Sequence, residues 1–228
     1  MKRTTSAALA AVTISSLAIA ATAAGASVPA RPDPQKVCAA IASQPETLKQ
    51  ELKAIRLAQS GDNPELEAAL AKLEKAAEKA VESGKRGPTQ TNAYNAALSK
   101  VFAFGFEECS DTQVEATTTA DGLTGVPATV DAGSVGFKLQ NDTDESVFLG
   151  VVKVAPDNTA TAEEILAALY ASEDEEPEGI EFVAGGGAEA GEAGYALADL
   201  GSGRYLLFVG NERDERAGVP QKAEFTVA

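Results

Sequence analysis

The sequence contains no histidine, only two cysteines and a single methionine at its first position. Histidine is the commonest metal ligand in proteins and the usual proton carrier near neutral pH. A Ser–His or Cys–His catalytic pair is therefore excluded, and no serine stands in a Gly-x-Ser-x-Gly turn. We predict that this protein is not an enzyme and that it has no cofactor. A carboxylate-based hydrolase is the alternative. Its catalytic acidic residues could lie far apart in the sequence and come together only in the folded chain, so no sequence pattern excludes them.

Basic residues are also scarce, with 19 Lys and Arg against 34 Asp and Glu and a net charge of −15. Residues 31–111 hold 11 basic and 12 acidic residues, a net of −1, whereas residues 112–228 hold 6 and 22, a net of −16. Nucleic acids and anionic lipids both require a basic surface, so neither is predicted as a partner. The step in charge predicts two domains with different surfaces.

Long apolar runs are limited to one, which extends from Ala7 to Ala24 after Lys2 and Arg3. This pattern predicts a signal peptide over residues 1–26, with an alternative end at residue 30. No later stretch is long and apolar enough to span a bilayer, so the mature chain should have no membrane span. We predict a secreted protein, extracellular or in the cell envelope, with an unknown extracellular or cell-envelope protein or glycan as its partner.

The two cysteines, Cys38 and Cys109, bracket the nearly neutral segment. In an exported protein such a pair predicts a disulfide bond. The loop would span 109 − 38 = 71 residues, which is worth about 4 kcal/mol in the chain-entropy model. A pair of redox or metal-binding thiols is the alternative, but the spacing is not Cys-x-x-Cys.

Residues 33–111 predict an antiparallel helical bundle that this disulfide would close. Asn63 followed by Pro64 indicates a helix start, Gly84 indicates its end, and a capping box over residues 43–46 should restart an earlier helix. Between these signals the apolar residues recur at steps of three and four, as in Leu66, Leu70 and Leu73. We interpret this stripe as core. A haem or lipid pocket between the helices is the alternative, and a haem there would have only Tyr94 as an axial ligand.

From residue 113 to residue 228 the apolar pattern alternates instead, as in Val135, Phe137 and Leu139. Short strands separated by turns predict an antiparallel β-sandwich. One helix should interrupt it, because Thr161 and Glu164 are spaced as a capping box. Residues 173–181 are predicted to form a solvated acidic loop, and residues 185–187, three glycines, a flexible connection.

Five segments of this half follow one another in an order that is typical of a known family of β-sandwich domains. The segments are Gly125–Val130 with Gly133, Asn141 before a strand over 147–154, a helix over 161–169, Leu200 with Gly203–Tyr205, and Gly218–Pro220 with Glu224–Val227. From about residue 117 to residue 228 this order resembles the cupredoxin-like domain, of the plastocyanin and azurin type, in secreted bacterial proteins. The resemblance implies a Greek-key β-sandwich with one inserted helix, and a bacterial source. The whole chain would then be a multidomain α and β protein, with the helical bundle over 33–111 and the sandwich over 113–228.

Cupredoxins of this type hold copper with two histidines, one cysteine and usually a weak axial methionine. The resemblance places three of these ligand positions at Val147, Val209 and Gln221, and none of the three is a copper ligand. It therefore implies a lost copper site. Our first prediction is a secreted, non-enzymatic binding or structural protein with a degenerate, metal-free cupredoxin-like domain.

An extracellular calcium-binding protein that uses the acidic sandwich is the second hypothesis. Its candidate ligands form two clusters, Asp142, Asp144 and Glu145 in the first and Asp174, Glu175 and Glu176 in the second. Calcium requires six or more oxygen ligands in a shaped loop, and neither cluster has the spacing of a known calcium loop. Solvated turns are the simpler interpretation.

Overall fold

The computed structural model describes residues 34–43, 47–58, 63–171, 177–210 and 220–228. The predicted signal peptide lies outside these described residues. Arg31–Ala228 cluster as one compact unit. Four helices come first: α1 Pro34–Ala42, α2 Leu48–Ala58, α3 Pro64–Ser83 and α4 Asn92–Glu108, with a short 3₁₀ turn at Gly87–Thr89. None of the helices in the described ranges is long and apolar enough to cross a membrane.

The ends of α3 lie where the sequence predicts them. The side-chain oxygen of Asn63 accepts hydrogen bonds from the backbone N–H groups of Glu65 and Leu66, each at 3.1 Å. At the other end Gly84 adopts the left-handed conformation, with φ of 66°, which glycine adopts without steric cost.

The predicted capping box over residues 43–46 is wrong as the start of α2. The box is formed by Thr47 and Gln50, whose side chains and backbone N–H groups bond reciprocally at 2.9 and 3.3 Å. Ser43 instead closes α1, because its hydroxyl donates to the carbonyl of Ala40 at 2.7 Å. Residues 44–46 lie outside the described part of the chain.

The four helices share one apolar cluster, and the predicted disulfide is confirmed. Cys38 in α1 and Cys109 after α4 are bonded, with their Cα atoms 5.4 Å apart. The antiparallel order of the predicted bundle stays a prediction. The most buried members of the cluster are Val37, Ala58, Leu70, Leu73 and Ala77.

The strands form two mixed sheets. The first has the order β2-β1-β4-β7 and the second β3-β9-β8-β5-β6. Each sheet contains one parallel pair, β1 with β4 and β3 with β9, so the prediction of a purely antiparallel sandwich is wrong. Alternation along a strand reports its buried face and not its partner. The strands are β1 Thr112–Thr119, β2 Gly122–Thr124, β3 Thr129–Val130, β4 Gly133–Asn141, β5 Val147–Val154, β6 Ile180–Ala188, β7 Ala193–Leu200, β8 Gly203–Gly210 and β9 Gln221–Val227.

The predicted helix inserted into the sandwich is confirmed as α5, Ala162–Ala171, between β5 and β6. The backbone N–H of Thr161 donates to the Glu164 carboxylate at 2.8 Å, and that of Glu164 donates to the Thr161 hydroxyl at 3.3 Å. Ile165 and Leu166 are buried against the outer face of the second sheet. The capping box of the sequence thus begins a helix that covers one face of the sandwich.

The three glycines predicted as a flexible connection belong to strand β6 instead. A Cβ atom on Gly185 would lie 2.6 Å from a ring carbon of Phe182 and 2.7 Å from one of Phe148. On Gly186 it would lie 2.2 Å from the carbonyl oxygen of Tyr195. These glycines allow rings and backbone to approach the strand closely, so their role is packing. Residues 180 and 181 of the predicted acidic loop also lie in β6, whereas residues 173–176 lie outside the described residues.

The inner faces of the two sheets share one core, which includes the predicted Val135, Phe137 and Leu139, all at most 1% exposed. Tyr205 and Phe225 stack within it, with ring centroids 5.4 Å apart. The Tyr205 hydroxyl donates to the carbonyl of Gly201 at 2.7 Å and so fixes the turn before β8. This buried tyrosine is part of the Leu200 and Gly203–Tyr205 pattern on which the resemblance partly depends.

The helical half, residues 34–111, contacts the outer face of the first sheet through α4. Phe106 packs against Tyr195 with ring centroids 5.8 Å apart. The hydroxyl of Ser134 donates to the carbonyl of Cys109 at 2.9 Å. That residues 33–111 and 113–228 are separate domains stays a prediction.

Candidate functional site

The three positions predicted to be lost copper ligands lie together at one end of the sandwich. Strand β5 begins at Val147, and Val209 near the end of β8 pairs with Gln221 at the start of β9. All three residues line one cavity of about 190 Å³, which we call the sandwich cavity. Three strands thus bring together residues that are up to 74 positions apart in the chain (221 − 147).

Both the oxygen and the nitrogen of the Gln221 side-chain amide form hydrogen bonds. Its Oε1 accepts from the hydroxyl of Thr118 at 2.8 Å, and its Nε2 donates to the carbonyl of Thr119 at 2.7 Å. Thr118 is only 1% exposed, so this hydrogen bond satisfies a buried polar group. Gln221 therefore connects β9 in the second sheet with β1 in the first. No local pattern distinguishes Thr118, which is one of three consecutive threonines.

A fully buried amide fixes the turn that leads to Val147. Asn141 is fully buried, and its Nδ2 lies 2.7 Å from the carbonyl of Glu145 and 3.1 Å from that of Ala188. Its Oδ1 accepts from the backbone N–H of Thr143 at 3.0 Å. Because the side chain of Asn141 bonds to both sides of the turn, this end of the sandwich is shaped by hydrogen bonds within the protein.

The groups in the sandwich cavity do not fit a copper ion of the cupredoxin type. Its described lining consists of valine side chains, threonine hydroxyls, the Gln221 amide and the acidic residues Asp144 and Glu145. Type 1 copper requires imidazole and thiolate ligands. The sequence has no histidine, and both cysteines form the disulfide in the helical half.

The acidic candidates for a calcium site are only partly brought together. Asp144 and Glu145 line the sandwich cavity, whereas Asp142 accepts a hydrogen bond from Gln140 at 3.1 Å. Among the residues that the structure describes, no three acidic, cysteine or histidine side chains are grouped closely enough to hold a metal ion. The second cluster, Asp174, Glu175 and Glu176, lies outside the described residues.

A second cavity, of about 370 Å³, lies among the helices, and we call it the helical cavity. Three of its polar residues interact with one another. The Tyr94 hydroxyl donates to the Glu51 carboxylate, and Arg86 Nη1 lies 3.8 Å from the other oxygen of Glu51. Burial, and then the hydrogen bond to Glu51, raise the pKa of Tyr94 well above its usual range. The sequence favours core for the apolar stripe of the helices, with a pocket between them as the alternative; the structure contains such a pocket.

No protein-family model matches the chain, and no curated protein matches it. Solved copper proteins match about half of it. Reduced auracyanin from the photosynthetic bacterium Roseiflexus castenholzii is 15% identical and covers 52% of this chain and 98% of its own, with a TM-score of 0.36. Auracyanin A, a blue copper protein from Chloroflexus aurantiacus, is 14% identical over 51% of this chain and 98% of its own, with a TM-score of 0.35.

Reduced rusticyanin is 14% identical and covers 52% of this chain and 81% of its own, with a TM-score of 0.33. The two facing mixed sheets, with α5 between β5 and β6, form the arrangement that the resemblance implies. At these identities and TM-scores, no ligand, activity or partner is carried over from the matched proteins to this chain.

Proposed function

We propose that this chain is a secreted, non-enzymatic binding or structural protein of a bacterial cell envelope or its surroundings, with a cupredoxin-like domain that holds no copper. One observation carries the proposal. The residues at the implied ligand positions, Val147, Val209 and Gln221, line one cavity, and both amide atoms of Gln221 are engaged in hydrogen bonds.

The chemistry of this cavity supports a role without electron transfer. A blue copper centre depends on the bond between copper and a cysteine thiolate, completed by two imidazoles. Valine side chains offer no donor atom, and Gln221 could turn towards a metal only by leaving the buried Thr118 hydroxyl without its acceptor. The same fold serves many functions, so the sandwich can act through its surface.

Two further features support a location outside the cytoplasm. The first 26 residues have the pattern of a signal peptide, and the Cys38–Cys109 disulfide is typical of oxidising compartments. The acidity of residues 112–228 suits a soluble extracellular surface and disfavours binding to nucleic acid.

Titration of the purified protein with copper(II) tests the proposal. We expect no intense blue absorption, and no copper retained in stoichiometric amount after desalting. A blue band, or one equivalent of retained copper, would show that the sandwich still holds the metal and would overturn the proposal.

A triple variant provides the matched positive control. Val147→His, Val209→Cys and Gln221→His together place two imidazoles and one thiolate around the sandwich cavity. We expect the folded variant to turn blue with copper where the wild-type protein does not. A variant with a wild-type circular dichroism spectrum that stays colourless would show that these are not the former ligand positions.

A further inference from the structure

We infer that the helical cavity is a binding site for a small, uncharged, mainly apolar molecule that carries one hydrogen-bonding group. The volume of about 370 Å³ falls within the range of ligand pockets. Its apolar lining includes Ile55, Leu70, Leu73 and Val101, all less than 10% exposed. The inference concerns the helical half and is independent of whether the sandwich holds copper.

The size of the cavity sets the size of the ligand. An apolar cavity of about 150 Å³ in a protein core stays dry and accepts benzene. The helical cavity is more than twice as large, so it has room for about two fused rings or a branched chain of similar bulk. The cavity is half open to solvent, so a ligand of this size can enter it without unfolding the helices.

The polar residues of the cavity set the charge of the ligand. Glu51 accepts the hydrogen bond from Tyr94 and lies 3.8 Å from Arg86, so one negative and one positive charge already offset each other. A ligand with a charge of either sign would lie beside a like charge. Gln90 and Asn95 also line the cavity and provide neutral donors and acceptors. A hydroxyl or carbonyl group fits these surroundings better than an ammonium or a carboxylate.

Three naphthalene derivatives of one ring size and different charge test this inference. They are 1-naphthol, 1-naphthoate and 1-naphthylmethylammonium, and the absence of tryptophan lets their fluorescence be followed without overlap. We expect one equivalent of 1-naphthol to bind per chain. The affinity for each of the two charged compounds should be lower by a factor of about ten or more. Absence of saturable 1-naphthol binding, or equal affinity for all three compounds, would overturn the inference.

Two variants with the same new side chain locate the site. Ala54→Phe places a ring in the helical cavity, because Ala54 lines it. Ala71→Phe, on the exposed side of α3, is the control. We expect Ala54→Phe to weaken 1-naphthol binding about tenfold or more, and Ala71→Phe to leave it unchanged. Wild-type affinity in a folded Ala54→Phe variant would show that the compound binds elsewhere.

A charge variant provides a test that does not depend on filling the core. Glu51→Gln keeps an oxygen that can accept from Tyr94, but it removes the negative charge that lies 3.8 Å from Arg86. We expect 1-naphthoate to gain affinity relative to 1-naphthol in this variant. An unchanged order of affinities would contradict the placement of the ligand's polar group beside Glu51 and Arg86.

Discussion

The two halves of the chain bury their apolar residues in different ways. The sandwich encloses large side chains such as Phe137, Tyr205 and Phe225, each at most 2% exposed. The helical half buries many alanines, is closed by a disulfide, and leaves a mainly apolar cavity of about 370 Å³. The sandwich has a smaller cavity of about 190 Å³, with threonine, glutamine and acidic residues in its lining.

The half of the chain whose fold is recognisable is not the half whose cavity is best suited to a ligand. The sandwich resembles a metal-binding domain, yet Val147, Val209 and Gln221 offer copper no imidazole or thiolate. The helical half holds a cavity that is larger and more apolar than the sandwich cavity. A fold indicates which scaffold a chain has, whereas the side chains decide where a ligand binds.

Truncation of a core ring should affect the sandwich more than truncation of a core leucine affects the helical half. Phe137→Ala should cost about 3–5 kcal/mol of unfolding free energy, because the surrounding strands cannot close the space. Leu73→Ala should cost nearer 2 kcal/mol, since Leu73 already borders a cavity. Urea unfolding measures both values. A larger cost for Leu73→Ala would contradict the difference in packing.

Removal of the disulfide should act on the helical half. We expect Cys38→Ser with Cys109→Ser to lower its stability by about 2–5 kcal/mol. Hydrogen exchange followed by mass spectrometry should show faster exchange in α1–α4 and nearly unchanged exchange in the sandwich, whose core lies between its own sheets. Equal losses of protection in both halves would show one cooperative unit and would contradict the predicted domain division.

The contact between the halves should be sensitive to a single methyl group. A Cβ atom on Gly136 would lie 2.3 Å from the Ser110 hydroxyl and 2.8 Å from a ring carbon of Phe106. Gly136→Ala should therefore cost about 1–3 kcal/mol, by forcing α4 away from the first sheet. The control is Gly201→Ala, where nothing lies within 4 Å of the added atom. Equal melting temperatures for the two variants would contradict this close approach.

The smallest effect is expected at the capping box of α5. Thr161→Ala should cost about 1 kcal/mol at neutral pH. Hydrogen bonds from the backbone and side chain of Thr161 hold the pKa of Glu164 below its usual range. A lowered pKa in the folded state means a contribution that is present at neutral pH and is lost as the pH falls through that pKa. The difference in melting temperature between wild type and variant should therefore shrink in acid, and a constant difference would contradict this assignment.

Local signals in the sequence were sufficient for most helix and strand positions. Asn63, Gly84 and Thr161 mark helix ends because their effects depend on neighbours within a few residues. The alternation of Val135, Phe137 and Leu139 likewise reports which face of β4 is buried. The disulfide followed from the count of cysteines, since two cysteines in an exported chain allow one pairing.

Features that depend on distant residues could not be predicted in this way. The parallel pairing of β1 with β4 has no local signal. Gly185 and Gly186 predict a flexible segment, because the sequence around them does not show that Phe148 and the backbone of Tyr195 pack against them. The choice between a filled core and a pocket among the helices could not be made for the same reason. Glu51 and Tyr94 are 43 residues apart, and an apolar stripe looks the same whether it fills a core or lines a cavity.

The difference between the two halves has two parts: the sandwich holds no copper, and the helical half binds a ligand. Amide NMR spectra of the labelled protein test both parts in one experiment, with one equivalent of copper(II) in one sample and saturating 1-naphthol in another. We expect 1-naphthol to shift resonances around Tyr94 and Leu98, which line the helical cavity, and the paramagnetic copper to broaden no signals selectively in the sandwich. Selective broadening at residues 147, 209 and 221 would contradict the absence of a copper site in the sandwich. An absence of shifts at residues 94 and 98 would contradict ligand binding in the helical half.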